Sequence, residues 1–264
     1  MSASATTVRT ADYNPIAGFY KKHWCNHYHV GLTAMLDRVL LAGLPRGARV
    51  LDVCCGTGTV ARHLVSRGYS MTGVDASEEM LRYAREDVPE GEFIVGGAED
   101  FRLPPVYDAA LSTFDSLSYL LDQEALERGF GNVYAALRPG GMFVFDLATE
   151  ASFQTEWNQS CHIVEADEVC IVRGSYSERE RLGRTLITTF YRHGGWERVD
   201  VEFLAHCHRP EEVLGALKRA GFAGSVCHLS DDDEALRNEL GPRRACFVAN
   251  KPLMESVGTV RASI

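Results

Sequence analysis

The run Val50-Leu51-Asp52-Val53-Cys54-Cys55-Gly56-Thr57-Gly58-Thr59 carries an apolar strand into small residues and then into a helical pattern. Small residues at such a turn let a ligand approach the backbone, and the N–H groups that open the helix point toward it. Asp75 closes the next apolar strand, where an acid can accept both hydroxyls of a ribose. Together these residues describe a site for an adenosine-containing ligand. Gly56-x-Gly58-x-x-Ala61 fits the dinucleotide fingerprint, which would make the ligand NAD and the chemistry hydride transfer. Asp52 argues the other way. A carboxylate just ahead of the glycines sits badly beside an anionic pyrophosphate and suits a cationic sulfonium or ammonium group.

Such residues need strand ends to hold them, and the chain supplies them. Its 264 residues exceed one domain of roughly 150 and fall short of two. With 45% apolar and 24% charged residues, the chain can bury a core, which excludes disorder as its dominant state. Residues 13–44 carry Ile16, Phe19, Tyr20, Leu32, Met35, Leu36, Val39 and Leu40 at helical spacing, predicting two or three helices. Strands are then expected at 50–53, 70–74, 93–95, 107–113 and 141–145, alternating with helices at 60–66, 78–86 and 123–137. That alternation predicts βαβ units and a parallel sheet. Between Thr149 and Arg209 the helical period disappears. Runs at 168–176, 185–191 and 196–205 predict an antiparallel insertion, with a hairpin turn at His193-Gly194-Gly195. A helix at 211–220 and strands at 225–229 and 245–249 close the pattern as an antiparallel pair.

The chain resembles the class I S-adenosylmethionine-dependent methyltransferases. Asp52, Gly56 and Gly58 match that family's glycine loop, with Cys54 in place of its first glycine. Val74-Asp75-Ala76-Ser77-Glu78-Glu79-Met80-Leu81 matches the ribose-binding turn, Tyr107-Asp108-Ala109-Ala110 strand four, and Leu137-Arg138-Pro139-Gly140-Gly141 the turn before strand five. The resemblance implies a doubly wound, mostly parallel seven-stranded sheet of Rossmann-like type, with N-terminal helices and an antiparallel β insertion after strand five. It also implies S-adenosylmethionine as cofactor, held by Tyr20, Asp52, Cys54, Gly56, Gly58, Asp75, Ala76, Met80, Ala98, Glu99, Thr113 and Phe114. Gly97 stands where many members carry an adenine-binding acid, so backbone groups of Ala98 and Glu99 are expected to read the adenine. The helices and insertion are similar to those of glycine and amino-sugar N-methyltransferases. They imply a helical lid over 1–46 and a core over 47–148 and 210–251. The insertion at 149–209 would shape the acceptor pocket, and 252–264 would form a tail.

Methyl transfer to an amine or hydroxyl needs alignment and, optionally, a base, for which Asp115, Tyr20 and His29 are the candidates. Trp157, His162, Arg173 and Tyr176 are expected to meet the acceptor. His23, Cys25, His27 and His29, and again His206-Cys207-His208, lack a supporting carboxylate motif, so no metal is expected. The net charge of −9 disfavours nucleic acid and anionic membrane. With neither a secretory leader nor an apolar run of membrane length, and with eight cysteines read as reduced thiols, a cytoplasmic enzyme is expected, as monomer or homodimer with a small-molecule acceptor. A nicotinamide oxidoreductase, a non-catalytic S-adenosylmethionine-binding regulator and a macromolecule methyltransferase are the alternatives.

Overall fold

The structure, a computed structural model, describes residues 9–25, 29–192 and 194–253, with the backbone alone for 9, 10, 29 and 30. The short strand β1 (Arg9–Thr10) precedes a helical stretch over 14–24 that tightens to 3-10 at Asn14–Ile16, passes through the turn α1 (Ala17–Phe19) and widens to a π-turn at Tyr20–Trp24. Helix α2 (His29–Val39) leads into the alternating core: β2 (Arg49–Val53), α3 (Thr59–Ser66), β3 (Ser70–Asp75), α4 (Glu78–Asp87), β4 (Glu92–Val95), β5 (Tyr107–Ser112), α5 (Gln123–Ala136) and β6 (Leu137–Ala148). There follow α6 (Glu150–Thr155), β7 (Ser160–Val164), β8 (Glu168–Ser177), β9 (Leu182–Arg192) and β10 (Trp196–His206). The chain then finishes with α7 (Pro210–Ala220), β11 (Ala223–Leu229), α8 (Glu234–Leu240) and β12 (Arg244–Asn250).

The seven-stranded sheet runs β11-β12-β6-β5-β2-β3-β4. Its β6-β5-β2-β3-β4 part is parallel throughout, and β12 lies antiparallel to both β6 and β11. This is the expected doubly wound arrangement. A parallel strand covered by helices on both faces must be apolar throughout, and Val50, Leu51 and Val53 of β2 and Ala109, Ala110 and Leu111 of β5 are buried accordingly. Strand order reverses between β2 and β5, the position at which ligands bind beyond the carboxyl ends of such sheets.

The second sheet runs β1-β10-β9-β8-β7. Val201, Phe203 and Ala205 of β10 form the buried face that their alternation predicts. Ile16 and Phe19 pack on Cys170, Ile187, Val201 and Phe203, so the N-terminal helical stretch lies on this sheet. Lys22 pairs with Glu165 and Glu168, His23 Nε2 bonds Glu168 at 2.6 Å, and Lys21 pairs with Asp87 at the end of α4. The stretch thereby bridges insertion and core.

Four elements depart from the sequence expectation. Helix α6 interrupts the start of the insertion, because Thr149 opens a single amphipathic turn that buries Ser152 and Phe153. Strand β7 is short and mostly exposed, with little apolar pattern to announce it. Helix α8 begins where Asp233 accepts the Leu236 N–H at 3.1 Å, a capping bond that the preceding acidic run conceals as loop. Strand β1 is two residues long and runs parallel to β10, with Arg9 opposite Val201. The hairpin expected at His193-Gly194-Gly195 joins β9 to β10, paired from Arg192 opposite Trp196, with His193 outside the described residues. Residues 254–264 of the expected tail lie outside them as well. All eight cysteines are unpaired, and no described helix is long and apolar enough to cross a membrane.

Candidate active site

A cavity of about 940 Å3 opens at the carboxyl end of the large sheet, at the upper end of the roughly 300–1,000 Å3 usual for small-molecule pockets. Cys54 and Gly56 after β2, Asp75 and Ala76 at the end of β3, Met80 on α4, Gly97 and Ala98 after β4, and Phe114 after β5 line its inner part. All but Met80 lie at or just after strand ends of the core, brought together because parallel neighbours end side by side.

Asp75 is the best-defined group. Its Oδ2 accepts the Gly56 N–H at 2.8 Å and its Oδ1 the Ser77 N–H at 2.9 Å, which fixes the carboxylate plane at the cavity wall. Burial raises its pKa, with those two N–H groups pulling partly back. The Ser77 hydroxyl caps α4 by accepting the Met80 N–H and itself donates to Asn14 Oδ1 at 2.9 Å, so the N-terminal stretch is pinned to the ribose turn. Gly58 opens α3 at φ 74°, and a Cβ there would meet Ala84 Cβ at 2.9 Å. Cys54 takes the left-handed conformation that glycine favours, at φ 62°, and its N–H donates to the Val74 carbonyl at 2.7 Å. A thiol thus stands at the cavity wall where the family has hydrogen.

Asp52 is buried beneath this loop rather than on the cavity wall. Its Oδ2 has no hydrogen-bond partner among the described residues, and burial together with the nearby Asp75 raises its pKa well above the ordinary carboxylate value. An orphaned carboxylate oxygen under the loop and a ribose-competent acid beside it fit a ligand that is cationic at one end and adenosine at the other. A pyrophosphate would add negative charge to two neighbouring carboxylates.

The outer part of the cavity is aromatic. Tyr13, Tyr20, Trp24, Tyr119 and Phe203 all line it. Tyr13 and Tyr119 share a hydroxyl–hydroxyl hydrogen bond of 2.8 Å, and the Tyr13 ring lies 4.3 Å from Phe203 and edge-on to Tyr20 at 6.1 Å. Burial pushes both phenols of the bonded pair up, Tyr119 to about 12, so they remain neutral at physiological pH. Tyr20 thus lines the outer cavity together with Tyr13 and Tyr119.

Asp115 is turned away from the cavity. Its Oδ1 accepts the Ala148 N–H at 2.7 Å and the Ser118 hydroxyl at 2.5 Å, which ties the turn after β5 to the end of β6. That engagement holds Oδ1 in the frame of the turn, and Asp115 is not among the described lining residues of the cavity. The His29 side chain lies outside the described residues, as does His27. Glu99 points outward to Arg128 at 2.6 Å, leaving Ala98 at the wall. Thr113 is buried behind it, its carbonyl accepting the Ser116 hydroxyl.

None of the four expected acceptor residues lines the cavity, although Tyr176 shares the Val172 face of β8 and only His162 and Arg173 fall on the opposite one. Trp157 stacks on Phe153 at 4.8 Å, Tyr176 packs against the same ring, and His162 and Arg173 are exposed. Cys161 and Val172, paired across β7 and β8, reach the cavity instead. Shifting a strand reading by one residue exchanges its faces.

Sequence reasoning also missed Asp146 and Arg244, an ion pair at the cavity wall with Asp146 buried and Arg244 partly exposed, in which Asp146 Oδ1 accepts the Phe114 N–H at 2.9 Å. An acid inside the apolar run Phe143–Leu147 was the available signal. Glu156 and residues 238–242, the last turn of the unrecognised helix α8 and the residues that follow it, complete the rim.

Carboxylates do approach both histidine groups. Glu212 joins His206 and His208, but the Arg181 guanidinium already binds its two oxygens at 2.8 and 2.9 Å and faces His206 at 3.3 Å. Glu165 and Glu168 join His23, where Lys22 plays the same part.

This arrangement defines an α/β nucleoside-binding enzyme whose ligand meets carboxylates rather than phosphate-binding cations. A family model described as a methyltransferase domain matches residues 50–141. A dTDP-3-amino-3,6-dideoxy-alpha-D-glucopyranose N,N-dimethyltransferase of Streptomyces fradiae is 31% identical over 184 residues, 67% of this chain and 71% of that enzyme. Glycine N-methyltransferase of Rattus norvegicus is 29% identical over 53% of this chain and 47% of its own length. A sugar N-methyltransferase from Streptoalloteichus superimposes with a TM-score of 0.78 at 22% identity, over 96% of this chain and 99% of that one. The chain belongs to the class I S-adenosylmethionine-dependent methyltransferases of small-molecule type. It is an enzyme with S-adenosylmethionine as its cofactor, and the oxidoreductase alternative has no support.

Proposed function

We propose that the enzyme methylates a nitrogen or oxygen atom of a small molecule held between the N-terminal helical stretch and the second sheet. The observation carrying this reading is the cavity itself, with Asp75 fixed at its inner wall and an aromatic enclosure from Tyr13, Tyr20, Trp24, Tyr119 and Phe203 at its outer part. S-adenosylmethionine, bound there, supplies an electrophilic methyl carbon on a sulfonium.

The chain's own residues bind, align and exclude water. Asp75 accepts the ribose hydroxyls with the lone pairs that Gly56 and Ser77 leave open, while Met80 and Ala98 offer apolar contact to the base. The aromatic residues close over the methyl-transfer position, and the Tyr13–Tyr119 hydrogen bond fixes the two hydroxyls that orient the acceptor. Neutral phenols are poor bases, so the acceptor proton leaves to water. The rate then rests on alignment, worth up to about 7–11 kcal/mol. Eight unpaired cysteines support a reducing, cytoplasmic setting, and the enzyme acts as a monomer or homodimer.

The test offers labelled S-adenosylmethionine and a metabolite extract to the purified protein, with S-adenosylhomocysteine calorimetry alongside. Transfer of label to a small-molecule product is expected. Label appearing only on protein or nucleic acid would refute the proposal.

A further inference from the structure

The charges around the cavity restrict the acceptor. Arg244 is the only arginine or lysine among its described lining residues, and it is paired with Asp146, which is 2% exposed. Two guanidinium groups outside the lining hold carboxylates of the wall. Arg243 holds Glu156 at 2.7 Å, and Arg38 grips Glu239 through Nε at 3.0 Å and through a second, shorter contact. Among the described residues, the carboxylates at or beneath the wall without a cationic partner are Asp75 and Asp52.

We infer, resting on the methyltransferase reading, that the acceptor is an amine that arrives as a cation on an apolar or uncharged body and carries no phosphate, nucleoside diphosphate or carboxylate group. An anionic acceptor would have to take a guanidinium away from its carboxylate, leaving that carboxylate unpaired in a partly dry site, or go without a counter-charge. A cationic amine meets neither obstacle. The cavity lining includes Tyr20 and Trp24, and indole and phenol rings attract ammonium groups through their quadrupoles. Apolar contact from Leu32, Val172 and Leu240 suits the rest of such a molecule. In the reaction the ammonium first loses one proton to water, its freed lone pair forms the new N–C bond, and the methyl–sulfur bond breaks to leave a neutral thioether.

The experiment separates a metabolite extract of the host organism by ion exchange at pH 7 into cationic, neutral and anionic pools. Each is incubated with the full-length enzyme and methyl-labelled S-adenosylmethionine, and S-adenosylhomocysteine affinity is measured on the same preparation. Label is expected in a product of the cationic pool, and Trp24→Leu should raise the KM for that acceptor at least tenfold while changing S-adenosylhomocysteine affinity less than twofold. Label confined to the neutral or anionic pool, or no label from the cationic pool by enzyme that binds S-adenosylhomocysteine, overturns the inference and leaves the methyltransferase reading standing. Failure to bind S-adenosylhomocysteine would instead strike at that reading.

Discussion

Replacing Asp75 by Ala isolates what one carboxylate contributes to cofactor recognition. In the folded protein both oxygens already accept a backbone N–H, from Gly56 and Ser77, so removing the side chain frees two donors at a cavity wall that water reaches. The lost contacts to ligand are hydrogen bonds to a charged group, about 1.5–3 kcal/mol each, with water recovering part of the sum. A net loss of about 1.5–3 kcal/mol means a tenfold to roughly hundredfold rise in the Kd for S-adenosylhomocysteine. Stability should change little, since two effects oppose. Burial raises the carboxyl pKa, so the folded chain holds this proton more tightly than the unfolded chain, and that contribution is present at low pH and lost as pH rises. At neutral pH the substitution therefore removes an unfavourable ionisation along with two favourable N–H contacts. Binding has the opposite pH dependence: affinity that needs the carboxylate falls as pH drops through the raised value, and Asp75→Asn should flatten that dependence. Calorimetry from pH 5 to 8, with circular dichroism as the folding control, decides it. A folded Asp75→Ala protein with wild-type affinity would refute the assignment.

Val172→Ala should raise acceptor KM severalfold, whereas Arg173→Ala on the opposite face of the same strand should leave acceptor KM within twofold, both read by steady-state kinetics. Gly58→Ala should destabilise the protein by about 2–4 kcal/mol, combining a left-handed backbone with a Cβ at 2.9 Å from Ala84; urea denaturation measures it, and an unchanged midpoint would contradict the packing argument. Chelator or added Zn2+ should leave activity within twofold, because Arg181 and Lys22 already hold the carboxylates of the two histidine groups. Activity that disappears on chelation and returns with metal would reverse this.

What the sequence disclosed about the site follows from how each part is built. The cofactor half was legible because Asp52, Gly56, Gly58 and Asp75 are set by local backbone: a tight turn, a helix start and a strand end each constrain residue type within a few positions of themselves. The acceptor half is assembled across long separations, with Tyr13 bonded to Tyr119, Asp146 paired to Arg244, and Val172 facing inward only because β8 pairs with β7 and β9 in one register. No local pattern distinguishes Val172 from Arg173 as the pocket residue when both faces of a strand carry mixed side chains. The same holds for charge. The composition shows an acidic protein, but only the fold reveals that the guanidinium groups around the cavity are committed to carboxylates while Asp75 and Asp52 are not. Acceptor choice therefore resides in pairings that strand register creates, and variants that leave the cofactor turns intact can change it without disturbing the methyl donor's site.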